Sequence, residues 1–395
     1  MKFNVSLADF QKALLKNMPA IPRKSTLPVL EHLHFSLSGE TLRIVSTDQD
    51  ITIMTTIKVE GTEDGTVLVP GRKIGDLVRT MPTGSIEFNS NNSTYEIKLK
   101  TSTGKYSLRG LNPDEYLDIP ELFSSEKADM EKVKEQQGVS SDKPGTIFFK
   151  RDEMSWLADK THFAVSTDEF RPAMNGVLFQ FRENYVNAVS TDSYRLVKAV
   201  IHPEKAAFPN EIDLIIPARA IELLRKVDSD VSMSIIETRG KVTHARFDVG
   251  DTVFITRLID EKFPPYESVI PSNNELVATI NQKDILSAIT RIANCTSEHN
   301  NQIKMQIDKN SISVSGQDEE SGTEGDEGIT CDFNGNKITI GFNYKYLQDA
   351  ISNIETSDEN QAVLLTFSEP TRPVLIKPVA ESQDLLMLLM PVRLS

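Results

Sequence analysis

Cysteine is almost absent: only Cys295 and Cys331 occur in 395 residues. That excludes a secreted scaffold held by several disulfides and leaves buried free thiols as the ordinary reading. Histidine is scarce too. His32, His34, His162, His202, His244 and His299 are scattered without metal-ligand spacing, and neither CxxC nor HExxH occurs, so no metal site is expected. No Walker A motif and no GxGxxG after a strand is present, so no cofactor is expected either. No apolar run approaches the roughly 20 residues a membrane span requires, the stretch from Leu385 to Met390 being far too short. The opening Met1 to Val5 lacks the apolar core of a signal peptide, so the expected location is the cytoplasm, with no membrane partner. Positive charge is in deficit as well. The net charge is −14, which speaks against an ordinary nucleic-acid binder, because phosphate affinity is built from Lys and Arg.

What the sequence does contain is a repeat. Val189-Ser190-Thr191-Asp192-Ser193-Tyr194-Arg195-Leu196 reads as a strand, a polar turn and a second strand. A near copy, Val45-Ser46-Thr47-Asp48, lies 144 positions earlier, and a worn copy, Val314-Ser315-Gly316-Gln317-Asp318, lies 126 positions later. The same displacements relate Glu31 to Phe35, Asn175 to Phe179 and Asn301 to Met305. Equal displacements at separate anchors indicate three homologous copies of one α+β unit.

Each copy has the same order of elements. Helical patterns cover about 7–18, 71–81, 152–161, 218–227, 282–293 and 343–354, with Phe10, Ala13, Leu14 and Leu15 expected on one buried face of the first. Leu27 to Leu30 is expected to open an extended run through Leu37, and hairpins are expected at Arg239-Gly240 and Gly250-Asp251. The expected domains are 1–123, 146–271 and 272–395. Between the first two, 124–145 reads as a flexible charged linker, and the acidic segment 318–328 reads as an exposed loop.

No catalytic constellation emerges. Asp168 and Asp192 could form a carboxylate pair, but Asp48 and Asp318 repeat Asp192, and a repeated residue serves a shared turn better than an active site built once. The charge is unevenly spread. The six helical segments, with residues 1–24 counted whole, sum to +7, leaving −21 elsewhere. A mildly basic helical layer suits a protein that surrounds a duplex without gripping it, since phosphate contacts carry no sequence information.

The threefold repeat, together with Ser25-Thr26-Leu27-Pro28-Val29-Leu30, Val69-Pro70-Gly71-Arg72-Lys73, Asn175-Gly176-Val177-Leu178-Phe179, Thr191 to Leu196, Phe263-Pro264-Pro265-Tyr266 and Met390-Pro391-Val392-Arg393-Leu394, resembles the bacterial DNA polymerase III beta subunit family over essentially the whole chain. The resemblance implies a non-enzymatic sliding clamp. Its fold would be three clamp units, each with two inner helices on antiparallel sheets, closing as a head-to-tail homodimer ring around double-stranded DNA. It also implies a cytoplasmic, nucleoid-associated protein whose partners are the replicative polymerase, the clamp loader and other proteins carrying clamp-binding peptides. Arg23, Lys24, Arg72, Lys73, Arg79, Arg219 and Arg225 are expected to line the hole. The expected peptide groove comprises Arg171, Met174, Thr191, Ser193, Tyr194, Arg195, Leu196, Pro264, Val269, Leu388, Leu389, Met390, Pro391, Val392 and Arg393. Met and Leu make such a groove adaptable to several partners.

The dimer contact is expected at Tyr106 and Leu108 on one side and Asn294 and Cys295 on the other. This last pair replaces the family's usual apolar pair and predicts a weaker ring. Pro172 and Ala173 stand where some members have two DNA-contacting tyrosines, and Ser268 stands for a groove-rim arginine. The alternative reading is a monomeric repeat scaffold that binds partner peptides without encircling DNA.

Overall fold

The structure is a computed structural model describing residues 1–117, 146–203, 211–356, 361–379 and 384–394. The expected linker 124–145 lies outside the described residues. Two compact units emerge, one from the described residues of Met1–Asp152 and Val227–Leu258, the other from those of Glu153–Ala206, Asn210–Lys226 and Ile259–Ser395.

The first unit holds two antiparallel sheets. One runs β5 (Glu60–Glu63), β1 (Lys2–Ser6), β7 (Ser85–Ser90), β8 (Glu96–Lys100), β9 (Lys105–Arg109). The other runs β10 (Thr146–Phe149), β15 (Val231–Thr238), β16 (Lys241–Val249), β17 (Thr252–Arg257), β4 (Ile51–Lys58), β3 (Thr41–Thr47), β2 (His32–Ser38), β6 (Gly65–Pro70). The second unit carries one twelve-stranded antiparallel sheet. It begins β14 (Ile212–Pro217), β11 (Gly176–Phe181), β12 (Val186–Thr191), β13 (Arg195–Ile201), β25 (Leu385–Leu389), β24 (Val374–Pro378). It continues β23 (Ala362–Phe367), β18 (Leu276–Asn281), β21 (Thr323–Asp332), β20 (Ser311–Asp318), β19 (Gln302–Asp308), β22 (Ile338–Asn343). Successive repeats therefore share sheets: β17 pairs with β4, and β13 with β25.

Six α-helices occur among the described residues: α1 (Leu7–Asn17), α2 (Gly71–Arg79), α3 (Arg151–His162), α4 (Ala218–Leu224), α5 (Gln282–Ala293) and α6 (Tyr344–Ser352). None is long and apolar enough to cross a membrane. Their placement follows the sequence. Asn281 and Asn343 cap α5 and α6 by accepting from the amides of Asp284 and Lys345. Ile285, Ala288, Ile289 and Ile292 repeat at helical spacing and are buried. In α1, Leu7, Phe10, Ala13 and Leu14 are buried and anchor an aromatic core in which Phe3 stacks on Phe88 at 4.7 Å. The Arg239-Gly240 hairpin forms with both residues at positive φ (55° and 76°), as a two-residue turn between twisted strands demands.

Three expectations are corrected. Leu15 is 71% exposed, because the apolar stripe of α1 is only wide enough for its neighbours Phe10, Ala13 and Leu14. Leu27 to Leu30 is not extended: Pro28–Glu31 forms a 3-10 turn, with the Leu30 amide donating to the Leu27 carbonyl, before β2 begins. The acidic segment 318–328 is not a loop. β20 and β21 form a hairpin in register from Ser311↔Thr330 to Asp318↔Thr323, leaving only residues 319–322 in the turn. Gly316 and Gly325 face each other in that hairpin where α5 crosses close by, and a Cβ on Gly316 would lie 2.6 Å from Thr296 Cγ2.

Candidate functional site

The repeated turn is an Asx turn in each copy. Asp192 Oδ1 accepts from the amides of Tyr194 and Arg195, both at 2.9 Å. Thr191 Oγ1 donates to the Arg195 carbonyl at 2.7 Å, and Ser193 sits at φ 78°. The earlier copy matches: Asp48 Oδ1 accepts from Asp50 and Ile51, Thr47 Oγ1 donates to the Ile51 carbonyl, and Gln49 sits at φ 82°. Asp318 accepts from the Glu320 amide and the Ser321 hydroxyl. Asp168, the other half of the imagined carboxylate pair, accepts from the Phe170 amide and from Arg171 Nε at 2.8 Å. Those bonds hold its carboxyl below the usual range, the backbone bond first. Both carboxylates thus shape backbone.

Around the turn at Asp192 lies an apolar surface. β13 and β25 pair Leu196 with Leu388, and the Met390 amide donates to the Tyr194 carbonyl at 2.8 Å, carrying the C-terminal segment alongside the turn. Leu178, Val189, Leu196, Ile215, Phe263, Tyr266, Leu375 and Leu388 form its buried floor. Tyr266 is fixed beneath by donating to Gln180 Oε1 at 2.6 Å and accepting from Asn187 Nδ2 at 2.8 Å, and burial pushes its hydroxyl up to about 12. Met174, Pro264, Met390, Pro391 and Val392 are half-buried, while Tyr194 and Val269 are 58% and 50% exposed. Arg171 borders this surface, its Nη1 donating to Ser193 Oγ at 2.6 Å with Met174 Sδ 3.6 Å beyond.

Not all the expected groove residues come together. Leu389 is buried on the face of β25 opposite Leu388, as strand alternation requires, and Arg393 is exposed. Arg195 points into the fold rather than toward the surface, its Nη2 donating to the Phe163 carbonyl. Sequence reasoning missed Ala173, Ile259, Ile270 and Leu386, which pack against the floor. The i, i+2 alternation of Leu386 with Leu388 and Met390 is the signal that could have found the last.

The expected DNA-contacting cations differ in their freedom. Arg23, Lys24 and Lys73 are exposed on the first unit. Arg72 Nη2 donates to the Ile21 carbonyl at 2.9 Å, bracing the backbone that carries Arg23 and Lys24. Arg79 pairs with Asp76 at 3.2 Å. On the second unit Arg219 is exposed at the start of α4, and Arg225 pairs with Asp159 at 2.8 Å and Glu222 at 3.1 Å. Lys16 meets Asp251 at 2.6 Å and Asp228 at 3.5 Å, and Lys12 meets Asp228 at 3.4 Å. Of these acidic partners only Asp251 lies outside the segments that sum to +7; the others are already subtracted in that sum.

Two of the strand edges among the described residues lie at or beside the expected dimer-contact residues. β9 ends its sheet, with Lys105, Ser107 and Arg109 exposed while Tyr106 and Leu108 pack against the first unit's core. β21 pairs with β18 only at Cys331 and Asp332, so its stretch from Thr323 to Thr330 lacks a partner strand on that side. That edge is acidic through Glu324, Asp326 and Glu327, the last paired with Arg291. Cys295 lies beneath it, its Sγ 3.0 Å from where a Cβ on Gly325 would be, and Asn294 caps α5 through the carbonyls of Thr290 and Arg291.

Comparison with known proteins gives three consecutive family matches. Residues 1–120 match the N-terminal domain of the DNA polymerase III beta subunit, 149–265 its central domain and 267–393 its C-terminal domain. The chain is 28% identical to beta sliding clamps of Staphylococcus epidermidis and Staphylococcus aureus, covering 100% of this chain and 99% of each relative. Its fold superposes on the Bacillus subtilis DNA polymerase sliding clamp with TM-score 0.86 at 24% identity, and on the griselimycin-bound Pseudomonas aeruginosa clamp with TM-score 0.86 at 23% identity. Each covers 100% of both chains.

Proposed function

This chain belongs to the DNA polymerase III beta subunit family, and from that premise we propose that it is a sliding clamp, a non-catalytic processivity factor that encircles duplex DNA and tethers the replicative polymerase. The observation that carries the reading is the unbroken series of three clamp domains along one chain. Two copies join head to tail, each contributing domains 1–123, 146–271 and 272–395, and the six domains turn their helices inward. A separate ATP-driven loader opens the ring. The protein works in the cytoplasm, on the nucleoid during replication.

Three features of the chain support the assignment of surfaces. Arg23, Lys24 and Lys73 are exposed cations suited to phosphate contact, with Arg72 bracing their backbone. A ring held by topology needs no tight grip, so a few such contacts suffice in a chain of net charge −14. The apolar surface beside Tyr194 and Met390 suits short partner peptides with apolar anchors. The basic edge of β9 and the acidic edge of β21 are complementary, as joining one copy's first unit to another's second unit requires.

The test is retention on DNA. Protein loaded on nicked circular DNA should stay bound through gel filtration and be lost when the circle is cut. Changing Arg23, Lys24 and Lys73 together to Glu should shorten retention and flatten its salt dependence without lowering the melting temperature. Equal loss from circular and linear DNA would overturn the ring.

A further inference from the structure

Arg195 occupies the centre of the repeated turn, yet its guanidinium is turned inward, with the side chain only 12% exposed. Nε donates to Asp192 Oδ2 at 3.0 Å, Nη2 to the Phe163 carbonyl at 2.6 Å, and Nη1 to Asp349 Oδ2 on α6 at 2.6 Å. The guanidinium carbon also lies 4.5 Å from the ring centroid of Tyr346 and 5.3 Å from that of Phe163. Tyr346 in turn stacks on Tyr194 at 6.1 Å and 23°. The equivalent residue in the first copy of the turn is Ile51, so the turn itself does not require an arginine.

From this arrangement we infer that Arg195 is a positioning residue, and that Asp349 and Tyr346 of α6 set the groove wall through it. Nη1 and Nη2 tie the turn to α6 and to the residue that follows α3, while the ring of Tyr346 supports the exposed ring of Tyr194. A guanidinium can hold three partners in a plane while stacked between two rings, and an ammonium cannot. The orientation of Tyr194, and with it the width of the peptide surface, thus depends on a carboxylate that lies outside that surface. The inference rests on the reading of this surface as a peptide groove.

The test uses a fluorescein-labelled hexapeptide carrying two leucines and a phenylalanine, titrated against the full chain by anisotropy. Met390→Lys, within the surface itself, should abolish binding. Asp349→Asn and Arg195→Lys should each weaken it about tenfold, with Asp349→Asn melting within a degree or two of the parent. Binding by Asp349→Asn equal to the parent, while Met390→Lys binds nothing, would overturn the inference and leave the groove standing. Failure of the parent to bind, or equal binding by Met390→Lys, would remove the groove reading and the inference with it. Should Asp349→Asn melt early, Asp349→Glu decides: the restored charge should recover affinity, and no recovery in a stable variant counts against the role of Asp349.

Discussion

Asp192 uses two oxygens for three tasks: one accepts two backbone amides and the other holds Arg195. Asp48 likewise accepts two backbone amides, and Ile51 stands where Arg195 would be. The repeat therefore supplies an internal control. Alanine at position 48 removes the oxygen that accepts two amides, and alanine at position 192 removes this and also leaves the largely buried Arg195 Nε without its acceptor. An unsatisfied buried group costs about 1–3 kcal/mol, more where charge is involved. Asp48→Ala should thus destabilise by about 1 kcal/mol and Asp192→Ala by clearly more, read from urea unfolding midpoints at constant slope. Equal midpoints would mean that Arg195 finds a substitute partner when Asp192 is gone.

At the scale of elements, periodicity and turn chemistry were legible from sequence. The spacing of Ile285, Ala288, Ile289 and Ile292 gives α5 to the residue, and the polar run Thr191-Asp192-Ser193 gives the turn that the structure builds from those same side chains. What composition hid was pairing. The segment from Asp318 to Gly328 has the acids and glycines of a loop, but its Gly325 lies against Ile292 of α5 and its Glu324 and Asp326 point outward along β21. Charge counting could not show which charges meet, since the partners of Lys12 and Lys16 come from residues more than two hundred positions away. The apolar surface beside the turn was legible as a set of apolar positions, but the inward turn of Arg195 depends on α6 and could not be read from the local motif. The glycine argument gives a prediction. Gly316→Val would press against Thr296 and the Ile292 backbone, and overpacking of this kind costs about 1–3 kcal/mol. A drop of several degrees in melting temperature is expected, while an unchanged value would show that α5 is not held tightly against the hairpin.

At the scale of the whole molecule, the central quantity is the strength with which two copies close. Tyr106 and Leu108 are half-buried in the core of their own unit, and Asn294 spends its amide on capping α5, so these residues offer little free apolar area for a partner. In the proposed ring, complementary charge then carries more of the contact: Lys105 and Arg109 on β9 against Glu324 and Asp326 on β21. Contacts of that kind weaken with salt, because the screening length falls from about 10 Å at 0.1 M to about 3 Å at 1 M. Light scattering at micromolar concentration and low salt should give twice 44.1 kDa, moving toward the single-chain mass in 1 M salt. Reversing Lys105 and Arg109 to Glu should produce monomers at low salt, and adding Glu324→Lys and Asp326→Lys to the same chain should restore the dimer. Restoration by the second pair separates a specific edge contact from a general effect of net charge, because the fourfold variant returns to the parent's charge of −14. A single-chain mass for the parent at every salt concentration would favour the monomeric scaffold. A dimer indifferent to all four reversals would place closure elsewhere than on these two edges.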